Sequence, residues 1–147
     1  MAHEFIEHLL EDHEIQRRLG AQLRTTKDPE ERKSLRQQMY EELYPHMLGE
    51  EASLFAYMES AGGEAKEEAL KAVQEHHVAK MLLRELMVLD VEGEVFMPKA
   101  YVLDEMNRHH MEEEEATHFP MLQRMADEEK LDDLFEQYEE AEEEAEE

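Results

Sequence analysis

The sequence predicts an all-α protein: an up-down antiparallel four-helix bundle followed by a short acidic C-terminal helix or tail. Three observations carry this prediction. Apolar residues recur at intervals of three and four along four long segments, the spacing that gathers them on one face of a helix. Leu, Met, Ala and Glu are abundant, while 147 residues contain only five Gly and four Pro, a composition that favours helices. The breaks between the segments are short, and short connections between helices of similar length favour antiparallel neighbours. The length suits one domain with a core.

The first helix is expected from about Ala2 to Thr25, with Phe5, Ile6, Leu9, Leu10, Leu19 and Leu23 as its apolar stripe. "TTKDPEE" then breaks the pattern. Asp28 is placed to cap a second helix and Pro29 to open it. That helix is expected to reach Ala61, with Leu35, Met39, Leu43, Met47, Leu54 and Met58 inward and Gly62-Gly63 as its stop. Pro45 should bend it or cost it a hydrogen bond. The third helix covers about Glu64 to Asp90, facing Ala69, Val73, Leu83, Leu86 and Met87 inward. After the connection "DVEGEVFMP", the fourth begins near Pro98 and carries Leu103, Met106, Met121 and Met125, with Pro120 as a kink or an end. A helix of about 25 residues is about 37 Å long. Residues 1–126 read as the bundle and residues 127–147 as an acidic extension, with Leu131, Leu134 and Phe135 as a short apolar face and "EEAEEEAEE" as a solvated or frayed end.

Charge and composition exclude several function classes. The formal net charge is −25 with neutral histidines, which disfavours nucleic acid and anionic membrane surfaces and favours cations. No run of about 18 apolar residues is present, and "MAHEFIEHLLEDHE" has charges inside its apolar pattern, unlike a signal peptide. There is no cysteine. Disulfides, thiolate metal sites and cysteine nucleophiles are excluded, and a cytoplasmic location is the default expectation.

The chemistry sits in a repeated motif. Residues 46 to 55 read "HMLGEEASLF" and residues 110 to 119 read "HMEEEEATHF". Each contains His-x-x-x-Glu, which puts an imidazole and a carboxylate on one helix face. Both pairs, His46 with Glu50 and His110 with Glu114, fall where the apolar stripe calls for a leucine. A buried carboxylate is costly unless it is paired or binds a metal. The other two helices each offer a histidine in frame, His13 beside Ile6 and Leu9, and His76 beside Val73 and Leu83. Four imidazoles and two carboxylates suit two metal ions, and ligands from every helix of a bundle are a known arrangement for dinuclear iron or manganese; zinc suits the same donors.

The remaining candidates read as surroundings. His109 has its own carboxylate four places on, Glu113, but lies off the apolar frame. His3, His8 and His118 read as surface histidines, and Asp12 and Glu75 as surface residues that point away from the ligands beside them. Glu112, Glu113 and Glu115 form a solvated face with a secondary option of holding histidine N–H groups. Tyr40, Tyr44, Tyr57, Tyr101 and Tyr138 include candidates for a position near the site. The eleven methionines read as core filler.

The segments "EDHEIQRRL", "HMLGEEASLF", "EHHVAKMLLREL" and "HMEEEEATHFP", in this order, resemble the hemerythrin-like HHE cation-binding family from about Phe5 to about Met125. The resemblance implies a hemerythrin-like bundle with two non-haem iron ions, oxo- or hydroxo-bridged, that meets dioxygen, nitric oxide or peroxide. Carried over residue by residue, it makes His13, His46, His76 and His110 the imidazole ligands and Glu50 and Glu114 the bridging carboxylates. In the oxygen carriers of the family a fifth histidine follows four places after the one matched by His76, and here that place is Lys80. Either one iron has a ligand fewer, or another side chain or water replaces it; His77 lies roughly 100° away around the helix. An open position favours reactivity with small molecules over carriage. The expected function is thus binding or sensing of dioxygen or a related molecule. Turnover of peroxide or nitric oxide, and iron storage or repair, are the alternatives. Monomer and homodimer both remain open.

Overall fold

In the computed structural model, residues 2–146 are described, and they are almost entirely helical, with no β-strand among them. The elements are α1 (Glu4–Leu23), α2 (Pro29–Ala52), α3 (Leu54–Ala61), α4 (Gly63–Val88), α5 (Phe96–Glu113), a π-helical turn (Glu114–His118), α6 (Phe119–Met125) and α7 (Glu128–Glu146).

Local chemistry accounts for the ends. His3 caps α1, accepting from the Phe5 N–H at 2.9 Å. Asp28 caps α2 by accepting from the Glu31 N–H at 3.0 Å, with Pro29 in the first position. Gly62 and Gly63 turn the chain at φ values of 73° and 59°, where a side chain would be strained.

Two expectations about helix continuity need correction. α2 runs through Pro45 without a break and is interrupted instead at Ser53 (φ −116°, ψ −96°), whose hydroxyl donates to the Gly49 carbonyl at 2.7 Å. The fourth helix does not end at Pro120. It widens one turn earlier into the π-helical turn, and Pro120 opens α6, where its missing N–H costs little. Both His-x-x-x-Glu motifs thus leave regular α geometry at or just after their glutamate. π-turns of this kind concentrate at functional sites.

The core has two apolar clusters with a polar layer between them. Phe5, Leu9, Leu54, Phe55, Met58, Phe119 and Leu122 belong to the first. Leu19, Leu23, Met39, Leu43, Leu83, Leu86, Phe96 and Leu103 belong to the second. α1 and α4 run from the first cluster to the second, and α2 and α5 run the other way. α1 packs on α2 and α5, and α4 packs on the same two. The apolar face of α7, built on Leu131, Leu134 and Tyr138, packs against α2 and touches α1. The C-terminal segment is a helix to Glu146 whose buried face ends at Tyr138, and residues 139–146 form its solvated end.

Candidate metal centre

α1 and α4 contribute their middles to the polar layer, α2 and α5 their C-terminal ends, and the π-turn contributes Glu114. His13, His46, Glu50, His76, His110 and Glu114 are all at most 7% exposed. A fully buried Leu contributes ~1.5–3 kcal/mol, whereas a buried ion costs several kcal/mol before it is paired. Six polar side chains here are therefore a net cost to an apolar core, and something other than packing must use them.

Their geometry is that of two adjoining donor sets. His13, His46, Glu50 and Glu114 can bring one ligand atom each to within 4.8 Å of one another, and so can Glu50, His76, His110 and Glu114. The glutamates are common to both sets and divide their oxygens between them. Glu50 Oε2 lies 3.4 Å from His46 Nε2, and its Oε1 lies 3.1 Å from His76 Nε2. Glu114 Oε1 lies 2.9 Å from His13 Nε2, and its Oε2 lies 3.1 Å from His110 Nε2. All four imidazoles turn Nε2 inward. Both Glu50 oxygens and His76 Nε2 are buried without a hydrogen-bond partner, which buried polar atoms rarely tolerate. Two cations, each between two imidazoles and the shared carboxylates, fit this donor set.

The outward nitrogens explain how the rings are held. His13 Nδ1 lies 2.6 Å from Glu115, His46 Nδ1 lies 3.0 Å from Asp12, His76 Nδ1 lies 2.8 Å from Glu51, and His110 Nδ1 lies 2.9 Å from Glu75. A proton held on Nδ1 by a carboxylate leaves the Nε2 lone pair for a metal. Each of these acids is the chain neighbour of a residue in the centre and serves the next helix round: Asp12 of α1 holds α2, Glu51 of α2 holds α4, Glu75 of α4 holds α5, and Glu115 holds α1. Asp12 and Glu75 were expected at the surface. Instead Asp12 is 8% exposed and Glu75 half-buried, because the direction "away from the ligand" on one helix points at the neighbouring helix. An acid adjacent to a candidate ligand, found four times in the sequence, was the signal that could have located them. Glu51 was missed altogether.

Lys80 now has an account. Its ammonium pairs with Glu51 at 2.8 Å, so it anchors the acid that holds His76. His77 is exposed and belongs to neither donor set. Arg17 anchors Glu115 in the same manner at 2.9 Å. His109 is exposed beside Glu113. His118 departs from expectation: it is fully buried, with Nε2 3.1 Å from Glu68 and its ring edge-on to Phe55. Among the tyrosines, Tyr138 reaches the centre, with its hydroxyl 2.9 Å from His46 Nδ1 and donating to Asp12 at 2.7 Å. Burial pushes this phenol far above its ordinary range, so it keeps its proton.

Without metal, protons stand in for the cations. Burial works against a charged His46, but the Glu50 carboxylate and the hydrogen bond to Asp12 outweigh it and raise its pKa well above the ordinary value. Burial likewise opposes the charge on His110, and Glu114 and Glu75 overcome it, pushing it up to about 10. His13 is raised by Glu114 against the effect of burial. Burial would raise Glu114, yet His110 and His13 hold it well below the usual carboxylate range. His13, His46 and His110 are thus favoured as cations and Glu114 as an anion, a charge pattern suited to a cation site.

A family model described as the hemerythrin HHE cation binding domain matches residues 4–122. The chain belongs to this family. Neither curated proteins nor solved structures gave a match. The hemerythrin-like domain thus contains a buried His/Glu cluster suited to cations. No helix among its described residues is long and apolar enough to cross a membrane. A cavity of about 240 Å³ opens on one half of its centre, lined by His76, His110, Met47, Ala79, Met106 and Asn107 among others. On the other half the Phe119 ring stacks over His13 at 5.5 Å, and α7 lies over His46.

Proposed function

We propose that this hemerythrin-like domain, arranged as an up-down antiparallel bundle, holds two non-haem iron ions and binds or senses dioxygen or a related small molecule. His13 and His46 would hold one ion and His76 and His110 the other, with Glu50 and Glu114 spanning both. The observation that carries the reading is the division of each glutamate's two oxygens between the donor sets. Bound iron would supply an electron-rich centre able to engage a diatomic gas or a peroxide. The chain's own part is to hold four Nε2 atoms inward through Nδ1 contacts and to exclude bulk water with two apolar clusters. The cavity beside His76 and His110 admits a molecule of two or three atoms from one side.

The same cavity, and the lysine where oxygen carriers have a further histidine, favour a second reading in which peroxide or nitric oxide is turned over at the centre. Metal analysis and the absorption spectrum of the protein as isolated test the main reading. About two irons per chain with charge-transfer bands that respond to dioxygen or nitric oxide are expected. Well under two metals per chain, or bands indifferent to every such ligand, would sink it. Steady-state turnover above that of free iron separates the second reading from the first.

A further inference from the structure

Helix α7 lies outside the span that matches the family, yet it reaches the centre. Tyr138 is fully buried. Its hydroxyl donates to Asp12 Oδ2 at 2.7 Å and lies 2.9 Å from His46 Nδ1. Its ring rests on α2 at Gly49, where an added Cβ would stand 2.7 Å from two ring carbons. Only a residue without a side chain lets the ring sit there. At the matching place of the second motif the chain has Glu113, and among the described residues His110 is held by Glu75 and Glu114 with no tyrosine hydroxyl. His13, His76 and His110 each have one carboxylate at Nδ1, whereas His46 has a carboxylate and a phenol.

We propose that Tyr138 is the positioning residue of the His13/His46 half of the centre, and that α7 closes this half while the His76/His110 half stays open to the cavity, so that the two ions are held unequally. The inference rests on the dinuclear metal reading. The hydroxyl proton fixes Asp12, whose further ion-pair partner among the described residues is the distant His8 at 3.6 Å. Asp12 and the phenolic oxygen together hold the His46 Nδ1–H, so Nε2 keeps its aim at the ion. Contacts of this kind change metal affinity by roughly 10–100-fold. The closed ion would be retained, and the open one would exchange and meet the small molecule.

The test uses the full chain loaded with Co(II), with release to a chelator followed by visible absorption. The wild type is expected to take up two ions and release them in a fast and a slow phase. In Tyr138→Phe the slow phase should accelerate about tenfold or more with the fast phase unchanged, and the Co(II)-shifted N–H signal of His46 should move. Asp12→Asn should reproduce the slow-phase effect, and it keeps the question answerable if Tyr138→Phe folds poorly. Glu51→Gln, at the other half, should alter only the fast phase. Equal acceleration of both phases, a change in the fast phase alone, or no change in Tyr138→Phe and Asp12→Asn would overturn the proposal. A wild type that takes up fewer than two ions would remove the metal reading itself, and the proposal with it.

Discussion

Glu114, like Glu50, belongs to both donor sets, because one of its oxygens faces His13 and the other faces His110. Replacing it with alanine should therefore weaken both cation positions together. We expect Glu114→Ala to fall from two bound metals to one or none by elemental analysis, while His109→Ala, at an exposed position, keeps both. Retention of two metals by Glu114→Ala would contradict the shared-carboxylate geometry. His110 and His109 also show what residue-level reading can do. Both are followed by a glutamate four places on, and only the apolar frame of the helix separates them. His118 was legible by the same rule: it stands four places after Glu114, on the same helix face, and the structure buries it against Phe55 and Glu68.

At the scale of the helix, two opposing effects meet at Gly49. Glycine inside a helix is unfavourable by ~1 kcal/mol relative to alanine, so Gly49→Ala would stabilise an isolated α2. In the folded chain the new Cβ meets the Tyr138 ring at 2.7 Å, and overpacking of this sort costs ~1–3 kcal/mol. The ring is held by Asp12 and by the surrounding helices, so the steric effect should win. Gly49→Ala is expected to lower the melting temperature of the metal-free protein, by a net loss of about 1 kcal/mol. A melting temperature that rises would show that α7 yields easily. The helices themselves were legible because each has a regular apolar stripe, a cap such as Asp28, or a stop such as Gly62-Gly63. The break at Ser53 and the π-turn were not. Neither has a propensity signature, since Pro45 and Pro120 were the obvious breakers and the chain continues helically past both.

For the whole molecule, the sign of the pH dependence should differ between the metal-free and metal-loaded forms. His110 is raised from 6.5 to about 10 in the metal-free fold, so its stabilising charge is fully present below about pH 6.5 and is lost as pH rises through 10. Glu42 adds the same sign at lower pH. Burial, then the charge of Asp12, push it up to about 7, so its ionisation above the ordinary carboxylate range opposes folding. The metal-free protein should thus lose stability between pH 7 and pH 10. Metal displaces the protons from the imidazoles, so the loaded form should be spared the His110 loss, and the difference in stability between the two forms should widen by up to ~1.4 kcal/mol per pH unit for each proton displaced, with the gap in melting temperature widening alongside it. Parallel melting curves with and without metal check this, and a gap that narrows toward pH 10 would contradict the assignment of protons to the imidazoles.

By itself the sequence determined the helical class, the order of the long helices and the six inward polar residues, His13, His46, Glu50, His76, His110 and Glu114. These follow from periodicity, which is a local property: a histidine in the place of a leucine is visible on one helix alone. Only the tertiary structure decided what surrounds them. Asp12, Glu51, Glu75 and Glu115 lie beside candidate ligands in the chain but act on the adjacent helix, and Tyr138 reaches His46 from 92 residues away. Lys80 supports a carboxylate instead of replacing a ligand. The physical reason is that a helix period states which side a residue faces, while its partner depends on which helix packs there and at what height.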